Sequence, residues 1–309
     1  MTTSMAASHA ASKRLKDAIF GASAACREAA EKYGADKVTN ATMGVMMDEN
    51  GKFASIPTME RVFRSLSIED YARYAPIPGL PDYLDAVIDL TFADQKPEGY
   101  FGAIATAGGT GAIHHAVANY AERGDEVLTA DWFWGTYNVI CNECGSHLTN
   151  YKLFDENNNF NIQDFTEKVD AIMAKQDSLL TIINTPAHNP TGFSLTEEDW
   201  DNVLDLAKKY AAKGKKMSIL QVPGAKECCI EFNSMSKSHN MPGWRVGMCA
   251  SNPEFISWIL KIKSNIDSGT FRGIQLAAAE ALNTNDDAWH KEYLSLIHIS
   301  EPTRLRCIS

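Results

Sequence analysis

An alternation constrains this chain more than any single residue: patterns of helical period take turns with short apolar runs along most of its length. Two amphipathic segments come first, SKRLKDAIFGASAACREAAEKYG and GLPDYLDAVIDLTF. The order then becomes strand FGAIAT, helix GTGAIHHAVANYAERG, strand DEVLTA and helix WGTYNVICNECG. Helix NIQDFTEKVDAIMAK leads into strand SLLTIINTP, and helix TEEDWDNVLDLAKKYAAKG follows. CCIEFNSM and WRVGMCAS read as two further buried strands, and NPEFISWILKIKSNI and FRGIQLAAAEALNT close the pattern as helices. Strands that are apolar on both faces need cover on both faces, and helices between successive strands supply it. The fold class is therefore α/β with a doubly wound sheet. In such sheets a site lies at the carboxyl ends of the strands.

With 309 residues the chain can form one large domain, or a large and a small one. Its 45% hydrophobic and 22% charged residues are ordinary for a globular protein. A net charge of −10 argues against a nucleic acid or an acidic membrane as the main partner. No apolar run approaches the roughly 20 residues of a membrane helix. The start, MTTSMAASHAASKRLKDAIF, has no apolar core of a secretory signal. It is rich in Ser and Ala and free of acid until Asp17, which keeps an organelle-transit reading open beside the cytoplasmic one. The seven cysteines are scattered, as in a reducing cytoplasm. Cys141 and Cys144, with His147 nearby, fall short of the four ligands of a structural zinc, and Cys228 and Cys229 are adjacent. Core cysteines and no metal are expected.

Three motifs sit at strand ends. ATAGGTGAIHH places Gly108, Gly109 and Thr110 where a strand becomes a helix, and free N–H groups there suit an anion. Tight-turn glycines alone would look the same. In TPAHNPTG, Asn189 follows a buried strand and precedes Pro190, which favours extended backbone and an outward side chain. In NSMSKSHNMPGWRVG, Lys237 stands between two serines with Arg245 eight positions on. Ser234, Ser236 and Arg245 suit a phosphate, since arginine makes bidentate oxyanion contacts. Lys237 is then either a surface cation or a nucleophile toward an aldehyde.

Together HNPTG, SMSK and the following arginine resemble the fold-type I pyridoxal-phosphate enzymes, specifically the class I/II aminotransferases, from about residue 35 to about residue 292. The resemblance implies a three-layer sandwich with a mainly parallel sheet, and a small domain that is incomplete here. It implies pyridoxal 5'-phosphate as cofactor, with Lys237 as the Schiff-base lysine and proton shuttle. Gly109, Thr110, Ser234, Ser236 and Arg245 resemble the phosphate cup, and Asn189 the partner of the ring oxygen. Trp134 falls where the family stacks an aromatic on the ring, with Trp132 as the alternative. YAPIPGLPDY resembles the segment whose tyrosine, here Tyr74, reaches the neighbouring subunit's phosphate. ATMGVMMDENGKF resembles the segment near the substrate carboxylate, which puts Gly44 beside it. The implied assembly is a homodimer with shared active sites, acting on an amino acid and a 2-oxo acid. Residues 1–50 are then an N-terminal arm and part of the small domain, and 51–294 the large cofactor-binding domain.

The chain also departs from the family. The aspartate that keeps the ring nitrogen protonated, with its nearby tyrosine, has no counterpart between Gly192 and Lys237. That interval is short, as if residues were deleted near 215–222. Gln221 or Val222 ends the run SILQV, and Glu227 and Glu231 sit in the wrong register on the next strand. Up to about residue 216 the chain resembles the aspartate and aromatic branch, and residues 218–292 another branch, as in a join of two homologues. The tail at 295–309, LSLIHISEPTRLRCIS in its wider context, loses helical period and reads as non-native, so Arg304 and Arg306 do not replace the family's carboxylate-binding arginine. The function expected is amino-group transfer from an aspartate-like or aromatic L-amino acid to a 2-oxo acid, impaired by these gaps. The alternatives are a fold-type I lyase, a catalytically dead cofactor-binding or dimerising fragment, and a nucleotide-binding α/β protein using GGTG.

Overall fold

A computed structural model describes residues 18–40, 42, 44–48, 52–92, 102–213, 216–218, 229–284 and 291. The chain divides into two compact units, Met1–Ala54 and Ser55–Ser309. In the first, helix α1 (Ala18–Tyr33) leads to a 3-10 turn at Ala35–Lys37 and an antiparallel bridge between Met47 and Phe53.

The second unit opens with α2 (Pro57–Ser65), α3 (Ile68–Ala72) and α4 (Pro81–Phe92). The alternating part follows: β1 (Gly102–Ala107), α5 (Gly108–Tyr120), β2 (Glu126–Ala130), α6 (Thr136–Cys144), β3 (His147–Tyr151), α7 (Ile162–Met173), β4 (Ser178–Ile182), α8 (Glu197–Ala211) and β5 (Lys216–Ser218). It ends with β6 (Ile230–Ser234), α9 (Met235–Ser238), β7 (Val246–Ser251), α10 (Pro253–Ser264) and α11 (Arg272–Asn283).

Most of these elements follow from the sequence pattern, and local chemistry sets their ends. Thr196 and Asp199 form a capping box at the start of α8, Asn161 caps α7, and Asn252 caps α10 ahead of Pro253. Gly145, left-handed at φ 85°, stops α6. Three elements were not expected. α2 is a short helix whose Met59 and Val62 pack into the core at helical spacing, α3 is one turn held by the Ser67–Asp70 capping box, and β3 is a half-polar edge strand.

The ladders have two senses. β3, β2, β4 and β5 lie side by side in that order, all parallel. β1, β7 and β6 form a second ladder in which β7 is antiparallel to both neighbours, so β1 and β6 run the same way. Alternation splits each strand between two helical layers. Ala103 and Ala105 of β1 join Met248 of β7 in a core with α4 and α11, while Ile104 and Cys249 face Ala112 of α5 and Ile259 of α10. Leu128 and Leu179 likewise pack on α7 and α8, and Val127 and Leu180 on α6. This is the sandwich expected, with helices on both faces of the strands.

β4 keeps a parallel partner in β5, which is described over the three residues Lys216–Ser218. No ladder joins β5 to β6 among the described residues. Gln221, Val222, Glu227, Cys228 and the 295–309 tail fall outside the described residues. Cys141 is buried at the end of α6 and Cys144 is half-buried, and among the described residues no group of His, Cys, Asp and Glu is placed to hold a metal. No helix among the described residues is long and apolar enough to cross a membrane.

A buried polar hub ties α10 to α11. Lys263 is fully buried, and its Nζ lies 2.7 Å from Asp267 Oδ1, which also accepts the Gly269 N–H at 2.9 Å. Gln275, buried as well, donates to the Thr270 carbonyl and accepts the Leu80 N–H, both at 2.7 Å. Removing one partner of a buried ion pair strands the other charge away from water. Asp267→Ala is expected to cost about 3 kcal/mol in a urea unfolding measurement. Glu231, on β6, shows the opposite situation, since burial alone pushes its carboxyl up to about 7 from 4.5. Its folded-state charge is disfavoured, so stability falls as pH rises from 4.5 through 7. Glu231→Gln is expected to remove that slope and to gain on the order of 2 kcal/mol at pH 8 but little at pH 4, measured by the same unfolding experiment.

Candidate active site

The carboxyl ends of β1 and β6 meet at one place because both strands flank the start of β7. Thr106 stands opposite Gly247 on one side, and Ser234 on the other. Gly108, at φ 66°, turns the chain out of β1 directly into α5. Ala107 offers no side-chain cap, so the first N–H groups of α5, among them those of Gly109 and Thr110, are left for a ligand. A Cβ on Gly108 would stand 2.7 Å from Arg245 Nη2, so the hydrogen-only side chain makes room for the guanidinium.

Arg245 supplies the charge of this corner. It is left-handed at φ 53°, a conformation that costs a non-glycine residue about 1 kcal/mol or more and that gathers at functional sites. Its Nη1 donates to the Pro242 carbonyl at 2.8 Å. Its Nη2 reaches Thr110 Oγ1 at 3.3 Å and the Ala107 carbonyl at 3.4 Å. On the facing side Ser234 Oγ lies 3.0 Å from Ser236 Oγ and accepts the Ser236 N–H at 3.2 Å, which starts the single turn of α9. A Cβ on Gly109 would touch Ser234 at an ordinary 3.6 Å. Lys237 sits on α9 as an exposed residue, and its amine is held below the usual lysine range, first by desolvation and then by the Arg245 charge. A cationic fork, a threonine, two serines and an open helix start thus surround one point, beside an amine biased toward its neutral form. That set suits a phosphate attached to an aldehyde.

The family model for aminotransferase class I and II matches residues 36–300. The chain belongs to that family. It is 31% identical over 258 residues to an LL-diaminopimelate aminotransferase of Aquifex aeolicus, covering 76% of this chain and 64% of that protein. It is 30% identical over 256 residues to LL-diaminopimelate aminotransferase 2 of Nostoc sp., covering 74% of this chain and 63% of that protein. The chain therefore spans less than two thirds of the length of these relatives. An aminotransferase structure from Anaerococcus prevotii superposes with a TM-score of 0.84 at 31% identity, covering 95% of this chain and 80% of that one. Aspartate aminotransferase from Thermus thermophilus, at a TM-score of 0.76 and 20% identity, shares the fold.

Pyridoxal phosphate is the cofactor of class I and II aminotransferases, and the cup fits its phosphate: Arg245, Thr110, Ser234 and Ser236 offer a guanidinium and three hydroxyls beside the uncapped start of α5. The other residues singled out in the sequence stand apart from the bonds that join this cup. Trp134 is half-buried after β2, edge-on to Tyr137 at 5.8 Å between ring centroids, while Trp132 is 55% exposed. Asn189 is exposed in a turn that His188 fixes. Nδ1 of His188 lies 2.9 Å from Thr191 Oγ1, its carbonyl accepts the Gly192 N–H, and the Asn189 N–H bonds Asn184 Oδ1. Tyr74 is 88% exposed. Gly44 belongs to the first unit of this aminotransferase chain.

Glu231 is no substitute for the missing ring carboxylate. Phe232 packs toward α5 and α10, and Ser234 faces Gly109, so alternation turns Glu231 to the other face of β6, opposite Ala250. Asn233 shares that face and donates to Thr91 Oγ1 of α4. A groove of about 550 Å³ opens beside Arg245, walled by Phe63, Trp244, Phe271 and Ile274. Phe63 and Trp244 meet edge-to-face with centroids 5.0 Å apart.

Two residues of this corner were not singled out in the sequence. Gly247 closes the GWRVG run and could have been found as its last glycine, and Tyr83 closes the YAPIPGLPDY segment, in which only Tyr74 was given a role. Because Arg245 helps hold the Lys237 amine low, Arg245→Gln is expected to raise its pKa. Capture of pyridoxal, which lacks the phosphate, should then shift to higher pH, and the pH dependence of capture rate from pH 7 to 10 checks this.

Proposed function

We propose that this chain binds pyridoxal phosphate with the phosphate in the Arg245, Thr110, Gly109, Ser234 and Ser236 cup, and that Lys237 is its reactive lysine. The observation that carries the reading is the lowered amine pKa of Lys237 beside a cationic anion cup at the ends of β1 and β6. When bound, the cofactor supplies an aldehyde carbon and a ring that accepts electrons. Arg245 and the start of α5 hold and neutralise the phosphate. Lys237 would hold the aldehyde carbon at Nζ with loss of water and, once displaced there by the substrate's amine, would take the α-proton at the same atom. Asn189 and Trp134 are assigned to the ring oxygen and the ring face, Gly44 to the substrate carboxylate, and the exposed Tyr74 to a second copy in a homodimer.

The activity is amino-group transfer between an amino acid and a 2-oxo acid, at a reduced rate. Beyond α8 the chain has no aspartate until after Lys237, and its two glutamates there, Glu227 and Glu231, include one turned away from the cup. Loss of an ion-pair partner worth about 3–5 kcal/mol at the transition state corresponds to roughly a 10²–10⁴-fold slower reaction. Two donor classes are supported by different observations. The motifs of the first half lean to aspartate or aromatic amino acids, whereas relatives at 30% identity or more act on LL-diaminopimelate by name. The cytoplasm is the proposed location, 51–294 the cofactor-binding domain with a deletion near 215–222, and 295–309 a non-native tail.

Titration with pyridoxal phosphate is expected to give a visible absorption band, and borohydride should fix the cofactor on the Lys237 peptide but not in Lys237→Ala. No adduct on the folded protein, or one on another lysine, rejects the binding claim. Rates with aspartate, phenylalanine and LL-diaminopimelate against 2-oxoglutarate choose the donor, and release of pyruvate with ammonia would assign a lyase instead.

A further inference from the structure

Tyr83 is fully buried on α4, packed in the core with Val246 and Met248, and its hydroxyl donates to the Gly247 carbonyl at 3.0 Å. Burial raises its pKa far above the usual tyrosine range, so the phenol remains a donor at every pH the protein meets. Gly247 is the residue around which the cup is assembled. It stands between Thr106 and Ser234 in the ladders, and two positions before it Arg245 adopts its left-handed conformation. The backbone passes so close to Gly108 that a Cβ on Gly247 would lie 2.8 Å from the Gly108 carbonyl carbon and 2.7 Å from the Asn233 oxygen. A small shift of Gly247 therefore moves Gly108, Arg245 and Ser234 relative to one another.

We infer that Tyr83 is a positioning residue for the phosphate cup, acting through its hydrogen bond to the Gly247 carbonyl, which fixes where the Arg245–Gly247 segment presents the guanidinium to the phosphate. This rests on the proposed cofactor reading. Tyr83 touches neither cofactor nor substrate, so its effect should appear only for ligands that carry a phosphate. Tyr120, at the far end of α5, makes the same kind of bond, from its hydroxyl to the Phe255 carbonyl at 3.1 Å. It is roughly 18 Å from the cup along the helix, at 1.5 Å per residue, and serves as the control for losing a half-buried or buried hydroxyl.

The test compares Tyr83→Phe, Tyr120→Phe and the unaltered chain in their dissociation constants for pyridoxal phosphate and for pyridoxal, with the ³¹P resonance of the bound phosphate as a second readout. Phenylalanine keeps the ring packing, and thermal unfolding verifies that each variant folds. One net hydrogen bond predicts about a fivefold weaker grip on pyridoxal phosphate in Tyr83→Phe, with pyridoxal unchanged and the ³¹P resonance shifted. Tyr120→Phe should lower the melting temperature by a similar amount yet leave both affinities alone. If Tyr83→Phe weakens both ligands equally, or neither, the inference falls while the proposed function stands. If the unaltered chain shows no preference for the phosphate-bearing ligand, both fall.

Discussion

At the head of β7 the backbone of Gly247 passes between two others with no room for a methyl group. The Asn233 oxygen and the Gly108 carbonyl carbon lie 2.7 and 2.8 Å from where its Cβ would be. This contact holds β1, β7 and β6 in the register that brings Thr106, Ser234 and Arg245 to one corner. Gly108 must then turn through positive φ to enter α5, and Arg245 must take up the left-handed conformation just ahead of β7. The free N–H groups of the helix start and the guanidinium converge because of that packing, and the anion cup is its product.

The same arginine acts twice. As a donor to Thr110 Oγ1 it shapes the cup, and as a charge it helps keep the neighbouring Lys237 amine low. Desolvation is the larger of the two causes that lower the amine pKa, and the Arg245 charge the smaller. β5 is described over three residues, and Gln221 and Val222, at the end of the same run, lie outside the described residues.

Around the cup the support is polar and buried as well as apolar. Lys263, Asp267 and Gln275 fix the loop carrying Gly269 and Thr270, and Gln275 joins it to Leu80. That loop lines the aromatic groove beside Arg245, so the Lys263–Asp267 pair at the end of α10 reaches the rim of the site through the Gly269 N–H bond to Asp267. A side chain on Gly269 would strike the Ala75 carbonyl at 2.8 Å, which couples the same loop to the segment bearing Tyr74.

Periodicity and local chemistry decided much of this protein without tertiary information. The alternation of helix and strand, the capping residues of α7, α8 and α10, and the serine-flanked Lys237 with Arg245 were all legible, because each depends on neighbours within a few residues. The absence of an aspartate between the end of α8 and Lys237 was legible too, being read directly from the sequence. The single turn α3 and the edge strand β3 were not, since a capping box and edge pairing shape them more than an apolar stripe does, and α2 was passed over although Met59 and Val62 mark its buried face. Only the folded chain decided that β7 is antiparallel, that Glu231 faces away from the cup, and that a tyrosine in α4 bonds the Gly247 carbonyl 164 residues away. Those facts depend on which strands pair and in what register, and register is set by packing between segments far apart in sequence.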